Sequence, residues 1–429
     1  MIQRIIKSFI VTLLALLARL VLHRYHPKIV MVTGSVGKTS TKDALVAALS
    51  SRFLVRGSEK SFNSEFGVPF TVLGVGNPWH DVFAWGRVFK SAFALLVLPN
   101  HYPNLLVLEV GADKPGDLAR ILRIAKPDVL VVTRLPDIPV HVEAYSSPEA
   151  VREEEFSPAY ALPPLAPLIV SSEDPHAIEM ASRVPVHLVT YGLEASSSVQ
   201  LTDIDWYREH GVVVGMQAVV RAGDRTASMT IRGSVGKTQI LPAAAALATA
   251  LVSDIPLTDA LAALAAYEPP AGRGRLFPGV RGSTLIDDSY NSSPAAVEES
   301  LVTLASFPTT GKRIAVLGDM LELGRYSVME HERIGERAAK AADRLVTVGI
   351  RAKGFATAAE AAGLAPENIT SFNDARDAAA SLPALIGPGD TVLVKGSQSI
   401  RTERIVEVLL ATPADRSRLV RQDSAWQRR

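Results

Sequence analysis

An apolar run, Ile29-Val30-Met31-Val32-Thr33, passes directly into Gly34-Ser35-Val36-Gly37-Lys38-Thr39-Ser40-Thr41 and then into an amphipathic stretch ending at Leu49. Strand, glycine-rich turn and helix in that order constrain the fold more than any other feature. They call for a parallel sheet with helices on its faces and a turn open at the C-terminal edge of a strand. The glycines let backbone amides curl around phosphate, the helix N-terminus adds positive potential, Lys38 reaches the outer phosphates and Thr39 can ligate magnesium. Gly34, Ser35, Val36, Gly37, Lys38, Thr39 and Ser40 are therefore the expected nucleotide-binding residues. The loop is a shortened variant, because Val32 stands where the usual first glycine of G-x-x-x-x-G-K-[ST] would be. The hexapeptide Gly34 to Thr39 recurs as Gly233-Ser234-Val235-Gly236-Lys237-Thr238. There Gln239 replaces the second hydroxyl and Pro242 lies within the first turns that follow. The second copy reads as a glycine turn into a packing helix.

The rest of the chain agrees with an α/β fold. Short apolar runs at Ile29 to Thr33, Leu105 to Glu109, Val129 to Thr133 and Leu168 to Val170 alternate with Ala-rich helical stretches, the signature of a mostly parallel sheet covered on both faces. Between Val199 and Arg232 the text changes to alternating strands with turns at Glu209-His210-Gly211 and Ala222-Gly223-Asp224, an antiparallel annex. Glu268-Pro269-Pro270-Ala271-Gly272 then breaks the chain. Beyond it come strands near Thr284 to Ile286, Ile314 to Leu317, Leu345 to Val348 and Thr391 to Val394, a second, Rossmann-like α/β domain. The expected division is a hydrophobic helix over 1–27, a phosphate-loop domain over 28–269, a second domain over 270–412 and a frayed polar, basic tail over 413–429, with a ligand in the cleft between the domains. With 45 Lys and Arg against 44 Asp and Glu, no global field draws in nucleic acid, and none is expected as a partner. The absence of cysteine excludes disulfides, thiolate nucleophiles and Cys-ligated zinc, and suits a reducing compartment.

The N-terminal stretch Ile5 to Leu22 is apolar but interrupted by Lys7 and Arg19. Arg4, Ser8, Thr12, Arg19 and His23 recur at roughly helical spacing and draw a basic stripe along one face, which predicts a helix lying in the membrane interface, with residues 1–22 as the membrane contact. Packing on the protein's own surface or on a partner is the alternative.

Taken together these residues resemble the Mur ligases, the ATP-dependent amide-forming enzymes of peptidoglycan synthesis, and most nearly the branch that adds D-alanyl-D-alanine to a muramoyl tripeptide. The likeness rests on the phosphate loop, Asn63-Ser64-Glu65-Phe66-Gly67-Val68-Pro69, Leu108-Glu109-Val110-Gly111-Ala112, Asp287-Asp288-Ser289-Tyr290-Asn291-Ser292-Ser293-Pro294, Gly318-Asp319-Met320-Leu321-Glu322-Leu323-Gly324 and Val394-Lys395-Gly396-Ser397. It implies ATP and Mg2+, and a substrate carboxylate that is phosphorylated to an acyl phosphate and then captured by an incoming amine. It further implies Lys38, Glu109 and His141 as catalytic, Thr39, Glu109 and His141 toward metal, Arg273, Asp288 and Asn291 toward ATP from the second domain, and Asn63, Asp319 and Lys395 toward substrate. Read on their own, Asp288 and Asn291 could equally cap the helix starting near Pro294. Many family members carry a lysine that CO2 converts to a carbamate. Ungapped counting from His141 and from Ala161-Leu162-Pro163 places Glu155 there, a carboxylate without modification. The other reading makes Glu153-Glu154-Glu155 a solvated helix face.

Several positions depart from the family pattern. Its Thr-Asn pair reads Thr133-Arg134, its second asparagine after Asn63 is Ser64, and its His-Asn pair is Thr238-Gln239. In place of the family's UDP-gripping N-terminal domain stands the hydrophobic helix, which points to a lipid-linked or otherwise membrane-presented acceptor at the cytoplasmic face of the membrane. The expected function is ligation of a stem-peptide precursor to an amino acid or dipeptide. Its rivals are a Mur-fold ligase making a polyglutamate or another cell-wall amide, and a non-catalytic ATP-binding scaffold.

Overall fold

The computed structural model describes residues 2–59, 62–78, 81–423 and 426, and the side chains of residues 2–8 and 82 are outside that description. Two sheets organise the chain. The first has nine strands in the order β2 (Val55–Gly57), β3 (Leu105–Glu109), β1 (Lys28–Thr33), β4 (Val129–Val132), β5 (Pro167–Ser171), β6 (His187–Gly192), β7 (Val199–Glu209), β8 (Val212–Ala222) and β9 (Arg225–Arg232). It is parallel through β7 and antiparallel over β7 to β9, where the two turns fall at the residues expected. Strand β1 lies between β3 and β4, so the turn after it opens at a topological switch point, where parallel sheets leave a crevice. The second sheet runs β10 (Arg275–Pro278), β11 (Thr284–Asp288), β15 (Thr391–Lys395), β12 (Arg313–Gly318), β13 (Arg344–Val348) and β14 (Ile369–Phe372), antiparallel only at β10. The edge strands β2, β10 and β14 have only three or four residues, too short to show a period in sequence.

Strands β1, β3 and β4 are buried almost throughout, as continuous apolar runs in a doubly covered sheet must be. One face packs on the phosphate-loop helix (Lys38–Leu49) and the Ala-rich helix Lys237–Leu251; the other packs on the N-terminal helix and the helices Gly67–Leu73 and Val82–Val97.

The N-terminal helix (Ile2–Tyr25) packs on the protein's own surface, the alternative to a helix lying free in the membrane interface. Leu14, Ala18 and Val21 are fully buried in the core beside Phe70, and Tyr25 stacks on Tyr102 with ring centroids 4.5 Å apart while its hydroxyl donates to the Leu95 carbonyl at 2.8 Å. Positions 14, 18 and 21 recur at i, i+4 and i+7, one face of a helix, and burying the two larger side chains stabilises this docking by roughly 4 kcal/mol. The polar stripe survives in part: Thr12, Arg19 and His23 are exposed, whereas the side chains of Arg4 and Ser8 lie outside the described residues. Among the described residues no helix is long and apolar enough to cross a membrane.

The tail is also ordered where fraying was expected. Pro413–Arg418 forms a 3-10 helix, Leu419 is buried in the core of the second sheet, and Val420 is buried beside it in the chain. The terminal Gln-Arg-Arg lies outside the described residues.

Candidate active site

The turn after β1 is built on two glycines. Gly34 has φ 118°, and a Cβ there would collide with Thr133 Oγ1; Gly37, with φ 89°, caps the following helix in the left-handed conformation. Ser35, Val36, Gly37, Lys38, Thr39 and Ser40 all line one cleft of about 840 Å3 between the two sheets. Lys38 Nζ contacts the Gly34 carbonyl and lies 3.9 Å from Glu155 Oε1.

Two carboxylates face the loop from neighbouring elements. Glu109, 2% exposed at the end of β3, accepts a hydrogen bond from Thr39 Oγ1 at 3.1 Å, and its Oε2 has no hydrogen-bond partner among the described residues. Burial pushes its carboxyl pKa up against the pull of Lys38, Lys42 and Arg273. Glu155, 3% exposed, sits on the helix Pro148–Phe156 and accepts from Ser35 Oγ at 2.6 Å. Its backbone carbonyl accepts from Thr33 Oγ1 at 2.7 Å, which locks that helix to the end of β1. Burial raises its pKa too, opposed by Lys38 and the Ser35 hydrogen bond. The three consecutive glutamates thus differ: Glu153 is exposed, Glu154 accepts from the Gly116 and Leu118 amides at 3.0 Å, and Glu155 enters the cleft.

His141, also in the cleft, has φ 66° and binds Glu322 Oε2 through Nδ1 at 2.8 Å, with Asp113 Oδ1 3.5 Å from Nε2. Burial alone would lower its pKa, but the hydrogen bond and charge of Glu322, with Asp113, outweigh it and leave it raised. Neither acid was identified in the sequence, because Glu322 comes from the other sheet and Asp113 from the loop after β3. Among the described residues no group of three or more His, Asp or Glu is preassembled around a metal position. The orphaned buried oxygen of Glu109 beside the Thr39 hydroxyl is nevertheless the hard oxygen donor set that Mg2+ takes when phosphate supplies the remaining ligands.

From the C-terminal side, Arg273 Nη2 donates to Thr39 Oγ1 at 3.0 Å, with its guanidinium 4.2 Å from the centroid of the Tyr290 ring. Asp288 Oδ2 accepts from Lys395 Nζ at 2.7 Å and from Ser300 Oγ at 2.6 Å; Lys395 also donates to the Asn291 carbonyl at 3.1 Å. The cap of the helix Pro294–Ser306 is Ser293, not Asp288 or Asn291, and both of those line the cleft, as does Asn63. Asp319 does not. Its carboxylate accepts from the Ala352 amide at 2.7 Å and abuts Gly349, so it braces the turn after β13. Arg134, where the family pattern has asparagine, pairs with Glu299 at 2.9 Å across the two sheets.

The second Gly-Ser-Val-Gly-Lys-Thr turn is bonded into the surrounding fold. Its Val235 amide donates to the Gly274 carbonyl at 2.9 Å and its Gly236 amide to Met216 Sδ at 2.9 Å, while Ser234 Oγ donates to the Arg273 and Gly274 carbonyls at 2.8 Å. A Cβ on Gly236 would stand 2.8 Å from Thr303 Oγ1.

With this geometry in place, comparison with known proteins is informative. A family profile described as Mur ligase middle domain matches residues 88–250, and one described as Mur ligase, glutamate ligase domain matches residues 272–398. The chain is similar to the UDP-N-acetylmuramoyl-tripeptide--D-alanyl-D-alanine ligase of Synechocystis sp., 30% identical over 390 residues, covering 90% of this chain and 76% of the relative. It is 26% identical over 404 residues to the enzyme of that name from Bacillus subtilis, covering 94% and 80%. Among solved structures it resembles MurF ligase from Thermotoga maritima in complex with ADP, with a TM-score of 0.75, 27% identity and 93% and 83% of the two chains covered.

Proposed function

The chain belongs to the Mur ligase family, and we propose that it is an ATP-dependent amide ligase that extends a peptidoglycan stem-peptide precursor, with D-alanyl-D-alanine as the incoming amine. The names of its relatives supply that substrate pair. The observation that carries the chemistry is the convergence of Lys38, Glu109 and Glu155 on one cleft that Arg273 enters from the other domain.

In this reading the loop from Gly34 to Ser40 cradles the ATP phosphates, and Lys38 and Arg273 hold the terminal phosphate from two sides as a substrate carboxylate oxygen attacks it and ADP leaves. The amine nitrogen then attacks the acyl carbon, inorganic phosphate departs and the nitrogen loses a proton. Thr39 and Glu109 would hold Mg2+, which neutralises charge on the transferring group. His141, kept oriented by Glu322 and Asp113, stands on the same side of the cleft. Glu155 fills the place that the family resemblance gives to a carbamylated lysine, supplying a fixed negative charge next to Lys38. The test is mass spectrometry of products after incubation with ATP, UDP- and lipid-linked tripeptide precursors and a panel of amino acids and dipeptides, with phosphate release followed in parallel. Release that depends jointly on acceptor and amine supports a ligase; ATP binding without joint dependence supports the scaffold.

A second observation favours membrane contact at the cytoplasmic face. Phe9, Leu16 and Leu20 on the N-terminal helix, and Phe93, Val97 and Leu98 at the end of the helix Val82–Val97, are all exposed. Arg24 donates to the Leu98 carbonyl at 3.3 Å and contacts that of Leu96, so the two helices meet along this face, and Arg19 and Lys90 are exposed on them. Apolar residues bordered by basic ones suit an anionic lipid surface. Co-sedimentation with phosphatidylglycerol vesicles that is lost in Leu20→Asp and Phe93→Asp, with ligation in solution unchanged, would support this face; equal binding by the variants would refute it.

A further inference from the structure

A second pocket opens at the edge of the first sheet opposite the cleft. It measures about 530 Å3 and is lined by Leu22, His26, Pro27, Lys28, Lys126 and Asp128. The six residues of β1 separate it from the phosphate loop, a distance of roughly 20 Å at ~3.3 Å per residue. Among the described residues the two cavities share no lining side chain. The N-terminal helix brings its last turn to this pocket. His26 follows the helix with φ 46°, a left-handed position that glycine or asparagine usually takes, and its amide closes the helix by donating to the Leu22 carbonyl at 2.9 Å. The ring of His23 meets that of His26 edge-on, with centroids 5.4 Å apart.

Charge decides what this pocket can hold. Its lining carboxylate, Asp128, accepts from the Ile29 amide at 2.7 Å through Oδ2. Among the described residues the lysines in ion pairs are Lys38, Lys42 and Lys395, so Lys28 and Lys126 are unpaired. Two lysines against one carboxylate leave one positive charge in excess. Arg24, in the same helical turn, adds another while donating to the Leu98 carbonyl, the C-terminal carbonyls of the helix offset part of this potential, and the His26 imidazole offers a ring N–H in either tautomer. That set suits a singly charged anion with several acceptor oxygens, which describes a phosphate ester. Free phosphate and the headgroup of an anionic phospholipid share this chemistry, and the neighbouring surface favours the lipid. Phe9, Leu16, Leu20 and His23 recur at i, i+7, i+11 and i+14 on one exposed face of the helix, so its apolar strip leads straight into the basic end.

We propose that this pocket is a lipid-headgroup site, in which Lys28, Lys126 and His26 bind the phosphate diester of an anionic phospholipid while Leu16 and Leu20 enter the acyl boundary. This rests on the membrane-contact reading above and names the lipid chemistry that is recognised. It also sets the attitude of the protein on the bilayer. The pocket lies at the start of β1 and the phosphate loop at its end, so the loop stands up to roughly 20 Å from the headgroups. Ligation in solution therefore does not require the pocket to be filled.

The experiment measures partition of the full chain onto phosphatidylglycerol and phosphatidylcholine vesicles, with calorimetric titration of inorganic phosphate in parallel. The variants are Lys28→Gln, Lys126→Gln, the two combined, and Lys340→Gln, which removes the same charge from an exposed position on the second domain. The full chain is expected to prefer phosphatidylglycerol. Each pocket variant should weaken that binding by about fivefold and the double variant by about twentyfold, the range of one and two basic side chains at an anionic surface. Lys340→Gln should leave it unchanged, as all variants should leave binding to phosphatidylcholine and ligation in solution. A double variant that binds phosphatidylglycerol as the full chain does, when Leu20→Asp abolishes binding, overturns the headgroup site and leaves the membrane face intact. Equal weakening by Lys340→Gln also overturns the site, because the attraction is then diffuse. Phosphate binding that the double variant loses, without vesicle binding by the full chain, overturns both and makes the pocket a site for free phosphate.

Discussion

Two identical hexapeptides, Gly34 to Thr39 and Gly233 to Thr238, have opposite fates in this protein. The first follows a central parallel strand, and its helix begins from a Gly37 in the left-handed region with ψ −2°. The second follows β9, the last strand of the antiparallel annex, and its Gly236 has φ 105° and ψ 160°. In the first copy the Ser35 hydroxyl donates to a carboxylate and its amide to the Arg134 carbonyl at 2.8 Å, while the stretch from Ser35 to Ser40 lines the cleft; in the second, Ser234 and the Val235 and Gly236 amides bond the protein itself, and of its residues only Thr238 reaches the cleft. A glycine turn binds phosphate only where its amides are left unsatisfied by the fold and its helix points into an opening.

The sharpest way to break this contrast is at the two lysines. Lys38→Ala should lower turnover by about a thousandfold or more while circular dichroism stays that of the parent, since it removes a preorganised cation from the phosphoryl-transfer site. Lys237→Ala should stay within about twofold. Comparable losses would mean that both turns hold nucleotide.

The serine partners give the next largest effect. Glu155→Ala removes the carboxylate that Ser35 binds, and is expected to retain ATP in a binding titration while slowing turnover by about a hundredfold. Glu153→Ala and Glu154→Ala serve as controls that should each cost less than about fivefold. Added bicarbonate should leave the parent enzyme's rate unchanged.

Glu155 also makes a prediction about stability. Its folded pKa is raised by burial, so its contribution favours the fold below the unfolded carboxylate pKa and is lost as pH rises through the folded value. At pH 8 the buried charge costs stability, and Glu155→Gln should raise the apo Tm by about 2–4 °C there. The gain should disappear at about pH 3, below the unfolded carboxylate pKa, where both states are protonated. A gain that is independent of pH would show that packing, and not charge, is the cause.

Smallest is the change at the second serine. Ser234→Ala removes hydrogen bonds to the Arg273 and Gly274 carbonyls and should cost about 1 kcal/mol in chemical denaturation, with no change in the ATP dissociation constant. A weakened ATP affinity would reveal that this turn positions Arg273 and is more than a strut.

How far the site was legible follows from the kind of contact involved. Lys38, Thr39 and Glu109 could be placed from local text, since a glycine turn after an apolar strand and an acid closing the neighbouring strand carry their own geometry. The repeated turn was read as structural from Pro242 and Gln239, and the bonds of Val235 and Gly236 supply the reason. Glu155 was ambiguous because three consecutive glutamates look alike in a sequence. The register of the helix Pro148–Phe156 against Thr33 separates them. Asp319 was expected at the substrate and instead braces a turn, and the tail was expected to fray although Leu419 belongs to the core of the second sheet. In both cases the partners lie on elements far away in the chain, where no local period reports them.

The sequence by itself determined the α/β alternation, the antiparallel annex and the strand, glycine turn and helix that begin at β1, because strand burial, turn chemistry and helix capping act over a few residues. Only the tertiary structure decided that the N-terminal helix docks through Leu14, Ala18 and Val21, that Arg273 reaches Thr39, that Glu322 and Asp113 hold His141, and that two arginines meet on Glu403 under Trp426. Apart from Arg401 and Glu403, which are 2 positions apart, those contacts join residues separated by 18 to 234 positions, and their energies depend on burial and on the charges that surround each group once the chain has folded.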